Sequence, residues 1–110
     1  MLDLPHRTSS LLQRELPLET VEMLMRRGQE MLGLGDLSAA RLLFGRAAEA
    51  GSMEAMLAMG RSYDPVVLAV THSLAGADPA EAGRWYGRAA ASGSKEAAAL
   101  LQRLTAAAAR

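Results

Sequence analysis

The chain contains no cysteine, which removes disulfides, thiolate nucleophiles and zinc-thiolate centres together. Only two histidines occur, His6 and His72, and neither stands at helical spacing from another plausible ligand, so no metal site, cofactor or catalytic constellation is expected. No run of one charge exists: twelve basic and twelve acidic residues are interspersed. The chain therefore offers no basic footprint for a phosphate backbone or an anionic bilayer, and neither nucleic-acid binding nor membrane insertion is expected. Apolar stretches are broken by Arg, Glu or Asp well before the roughly 18 residues that a spanning helix needs. The start Met1-Leu2-Asp3-Leu4-Pro5 lacks the basic and apolar pattern of an export signal. Cytoplasmic is the default expectation. At 110 residues, half of them hydrophobic, one domain with a modest core is expected.

What is present is a repeat. Asp36 to Asp64 and Asp78 to Ala106 align without a gap at an offset of 42 residues. Identical pairs include Asp36/Asp78, Ala40/Ala82, Gly45/Gly87, Arg46/Arg88, Ala47/Ala89, Gly51/Gly93, Ser52/Ser94, Glu54/Glu96 and Arg61/Arg103, with Phe44/Tyr86 as a conservative pair. Within each copy the apolar residues recur every three and four positions, the period of an amphipathic helix. Trp85-Tyr86 fall in phase with Leu43-Phe44 on the inward stripe, which assigns them to core packing. Met56 and Met59 share a stripe with Gly60 and Tyr63 and read the same way; Met25 is the exception.

Asp36 and Asp78 are placed to cap free amides, Pro79 fits a first helical position, and Glu81 completes a capping box. Gly51 and Gly93 sit where a left-handed residue closes a helix, and the serine after each can cap the next, which forces neighbouring helices to pack antiparallel. Gly33-Leu34-Gly35 has no preceding strand and no following Lys-Thr pair, so it reads as a turn and not as a phosphate cradle. The expected order is an N-terminal arm or cap at 1–17, helices at 18–33, 37–50 and 53–63, an insert at 64–77, and helices at 79–92 and 95–108, with no strand. Gly45 and Gly87 inside helices mean either close packing or drift.

With Gly28 as the small residue of a first helix, Ala40, Phe44 and Ala47 follow at the spacing of the tetratricopeptide repeat, a helix-pair unit of about 34 residues. In the second unit Gly60 and Tyr63 precede Ala82, Tyr86 and Ala89 with about ten extra residues between the helices. That longer connection, followed by the pattern of Asp78 through Gly93, resembles the bacterial variant class of Sel-one-like repeats (SLR); eleven arginines against one lysine also suit a GC-rich bacterial genome. The resemblance spans roughly residues 20 to 105, and departs from the pattern at Arg27, Gln102, Gly45 and Gly87. It implies an all-α fold, an antiparallel helix-pair solenoid of about two and a half repeats over 18–110, with units at about 18–51 and 52–93 and a terminal helix at 94–108.

In that family the first helix of each pair lines a concave surface, and its ligand-contacting positions map here to Glu22, Met25, Gln29 and Leu32, to Glu54, Leu57, Arg61 and Asp64, and to Glu96 and Arg103. Such a groove, apolar at its centre with Arg61 and Arg103 on one side, can hold a partner peptide and pair with its carboxylates. The same residues also fit a solvated face. The resemblance implies a non-enzymatic interaction module or adaptor for a protein or peptide partner. The alternative is a structural subunit or self-assembling homodimer that uses the terminal helix and Leu101.

Overall fold

The computed structural model describes residues 16–71 and 74–109. His6, His72 and the arm up to residue 15 lie outside them. Six α-helices follow in order: α1 (Leu18–Gly33), α2 (Leu37–Glu49), α3 (Met53–Tyr63), α4 (Pro65–Thr71), α5 (Pro79–Ala91) and α6 (Lys95–Ala108), with a 3₁₀ turn at Leu74–Gly76 before α5. No strand occurs among the described residues.

The helix joints are built as the residue types dictate. Gly35, Gly51 and Gly93 adopt φ of 82°, 97° and 109°, a conformation that costs a side chain its Cβ clearance. At each joint the residue after the glycine donates its N–H back into the finished helix: Asp36 to the Met31 carbonyl, Ser52 to Ala47 and Ser94 to Ala89, at 2.9 to 3.1 Å. The side chain of that same residue then accepts from the third residue of the next helix: Asp36 from Ala39, Ser52 from Ala55 and Ser94 from Ala97, at 3.0 to 3.1 Å. One residue thus satisfies orphan groups on two helices, and the chain turns back within three residues.

Each helix packs against its neighbour: α1 on α2, α2 on α3, α3 on α5, and α5 on α6. The core is one of small residues filled by two rings. Ala40, Ala47, Ala55, Ala82, Ala89 and Ala97 are fully buried, as are Phe44 and Tyr86. A Cβ on Gly28 would overlap the Phe44 ring, and one on Gly60 would overlap the Tyr86 ring, so each ring lies directly on the backbone of the preceding first helix. Met56 and Met59 are buried, and Trp85 packs half-buried against the same core.

The insert 64–77 is not a plain loop. Asp64-Pro65 repeats the start signal of Asp78-Pro79, and a helix follows here too: Asp64 accepts from the Val66 amide at 2.9 Å through its side chain and from the Leu68 amide at 2.9 Å through its carbonyl. Leu68, 1% exposed, plugs α4 into the rest of the molecule. The excursion is closed at its base, because the Asp78 amide donates to the Tyr63 carbonyl at 2.8 Å. The α3 and α5 helices therefore meet directly despite the intervening residues.

Candidate functional site

The residues singled out on the first helices divide by burial. Glu22, Gln29, Glu54, Arg61, Glu96 and Arg103 are exposed. Met25, Leu32 and Leu57 are half-buried and pack against the core. Met25, set apart from the core residues above, is corrected here: at 100° per residue Met25 and Leu32 both lie about 40–60° to one side of Gly28, and the stripe built on Val21, Leu24, Gly28 and Met31 is wide enough to take them in.

Asp64 is fully buried and presents no surface to a partner. One of its carboxylate oxygens accepts from the Tyr86 hydroxyl at 2.6 Å and also pairs with Arg103 of α6; the other takes the Val66 amide. A buried carboxyl is tolerated when its oxygens are hydrogen-bonded, and both of these are. Desolvation and the hydrogen bond to Asp64 hold the Tyr86 hydroxyl protonated well above the usual tyrosine range. Arg61 of α3 pairs with Glu96 of α6 on the surface. Both arginines expected to await a ligand carboxylate thus already hold a partner within the chain, each through one guanidinium nitrogen: Arg61 of α3 holds Glu96 of α6, and Arg103 of α6 holds Asp64, just past the end of α3.

Among the described residues nothing covers the face between α1 and α3. A pocket of about 170 Å³ is lined by Gln29 and Leu32 from α1, Ala58 and Arg61 from α3, and Val67 and Leu68 from α4. A wider hollow of about 550 Å³ lies toward the amino ends of the same two helices and includes Glu22, Met25 and Glu54. Of the ten named residues, Gln29, Leu32 and Arg61 meet at one pocket, Glu22, Met25 and Glu54 at another, Leu57 packs against the core, and Asp64, Glu96 and Arg103 make contacts within the chain.

Sequence reasoning missed a second polar cluster. The Arg41 guanidinium lies 3.7 Å above the Tyr63 ring, donates to the Ser62 hydroxyl at 3.2 Å and to the Gly76 carbonyl at 2.7 Å, and also bonds the Ser62 carbonyl. It ties α2 to the end of α3 and to the 3₁₀ turn. Its repeat partner is Gly83, so a comparison of the two copies marks position 41 as different without saying what it does.

No group of three or more metal-ligating side chains occurs among the described residues, and every buried side-chain polar atom there has a partner. The described residues define a class: an all-helical protein of packed neighbouring helices, none long and apolar enough to cross a membrane. Comparison with protein-family models, curated proteins and solved structures returned no match.

Proposed function

We propose that this chain is a non-enzymatic interaction module of the tetratricopeptide and Sel-one-like kind, which holds a partner peptide along the face formed by α1 and α3. The single observation that supports this reading is the open pocket at which Gln29, Leu32 and Arg61, from two different first helices, come together with an apolar floor. Peptide grooves combine apolar pockets with a few polar groups that set orientation, and the exposed Gln29 amide and Arg61 guanidinium supply those groups. The test is selection from a displayed library of random peptides. Wild type should enrich a peptide family that loses at least ten-fold in affinity with the pair Gln29→Glu and Arg61→Glu and binds Arg46→Glu, on an exposed face of α2, unchanged. Equal loss with Arg46→Glu, or no enrichment at all, sinks the reading.

Self-assembly is the second reading, and a specific observation favours a different surface from the terminal helix. Leu101 and Leu104 of α6 turn toward Gly83 of α5, so Leu101 belongs to the core. The side of α1 and α2 away from α3 instead presents exposed Met23 and Leu42, beside the half-buried edges of Leu24, Met31 and Leu43, around a hollow of about 380 Å³, with Leu42 74% exposed. The second copy carries the ion pair Glu81 and Arg84 where the first has Ala39 and Leu42. Light scattering should show a dimer that Leu42→Arg disperses; a monomer at every concentration rules this reading out.

A further inference from the structure

We propose that the insert helix α4 converts the binding face into an anchor site for one apolar side chain of the partner, flanked by an acidic residue; this rests on the peptide-binding reading above. The pocket has three walls around the Phe44 ring of α2. Gln29 and Leu32 come from α1, Ala58 and Arg61 from α3, and Val67 and Leu68 from α4. The third wall is the distinctive one, because it exists only through the residues between α3 and α5.

The wall is held firmly. Leu68 is 1% exposed and fixes α4 to the core. The base of the excursion is closed by the bond from the Asp78 amide to the Tyr63 carbonyl, and its far end by the bond from Arg41 to the Gly76 carbonyl. A preformed cavity loses little entropy on filling.

Size selects the occupant. A volume of about 170 Å³ falls below the roughly 300 Å³ at which sites for whole small molecules begin. It is close to the roughly 150 Å³ of an apolar cavity that takes a benzene-sized guest. One leucine, methionine or phenylalanine side chain is a guest of that size.

Charge selects the flank. Arg61 lies at the pocket, and its pair with Glu96 engages one guanidinium nitrogen on an exposed surface, so the fork has donors left for a carboxylate from the partner. The opposite end of the face carries Glu22 and Glu54. Glu54 stands seven residues before Arg61 on α3, about 10 Å along the helix. The fitting segment has an apolar anchor, an acidic residue beside it, and a basic residue about that distance away.

The test uses peptides selected from a random displayed library on the full chain, then measured by fluorescence anisotropy. Wild-type peptides should share one aliphatic or aromatic residue next to Asp or Glu. Ala58→Phe, which fills the pocket, should weaken them at least ten-fold. Val67→Ala, which enlarges it without threatening the fold, should shift preference from leucine toward phenylalanine at the anchor. Arg61→Gln should weaken acidic-flanked peptides and leave versions with Gln in the flank unchanged. If selected peptides lack an apolar anchor, or bind Val67→Ala with unaltered preference, the anchor proposal is overturned while peptide binding stands. If wild type selects no peptide, both fall. Loss of helicity in Ala58→Phe shifts the decision to Val67→Ala.

Discussion

Gly28 and Gly60 ask the opposite of Gly45 and Gly87 when a methyl group is added. The first two sit under the Phe44 and Tyr86 rings, where a Cβ has no room; among the described residues nothing lies within 4 Å of a Cβ at the other two. Gly28→Ala and Gly60→Ala should each destabilise by about 1–3 kcal/mol through overpacking. Gly45→Ala and Gly87→Ala should each stabilise by about 0.5–1 kcal/mol, the helix-interior cost of glycine. Urea midpoints at constant m-value measure both. Close packing among the described residues is thereby excluded as the reason for Gly45 and Gly87.

Tyr86 supplies a pH signature at the same scale. Its hydroxyl proton is held more tightly in the fold than in the open chain, because burial and Asp64 oppose the phenolate. Stability from this source is complete below the unfolded tyrosine value of about 10 and declines as pH rises above it. Stability measured from pH 8 to 11 should turn downward above about 10, and Tyr86→Phe should flatten that limb. An unchanged limb in Tyr86→Phe assigns the effect to other groups.

At the scale of the element, the joints carry the helices. Ser52 and Ser94 each close one helix through the backbone and open the next through the hydroxyl. Ser52→Ala and Ser94→Ala remove only the second bond, so each should cost about 1 kcal/mol in thermal or urea unfolding. The joints at Gly51 and Gly93, the turn at Gly33-Leu34-Gly35 and the cap residues Asp36, Ser52, Asp78 and Ser94 were legible in the sequence, because capping is local chemistry. The α4 helix was not read, although Asp64-Pro65 carries the same opening as Asp78-Pro79. Its run Pro-Val-Val-Leu-Ala-Val has no polar face to show a helical period, and β-branched residues weaken the signal further.

For the molecule as a whole, Arg41 joins elements that the chain order separates. Arg41→Leu removes its bonds to Ser62 and Gly76 but keeps an aliphatic stem. Amide hydrogen exchange across residues 65–76 should accelerate at least about ten-fold, while that of the α1 and α2 interior should change little. Equal acceleration everywhere means that Arg41 supports global stability and not the placement of the insert.

The sequence by itself determined the helices of the repeat, their caps and joints, and the inward residues Ala40, Phe44, Ala47, Ala82, Tyr86 and Ala89, since each follows from period and local hydrogen bonding. It also marked Gln29, Leu32 and Arg61 as candidates. Only the tertiary structure decided which candidates meet. Asp64 looked like a surface acid because its burial depends on Tyr86, 22 residues on, and Arg103, 39 residues on. The pocket depends on Val67 and Leu68, which reach it only because the insert returns to its starting point. Contacts between residues so far apart leave no trace in a local pattern; they exist once the small core residues let the helices close together.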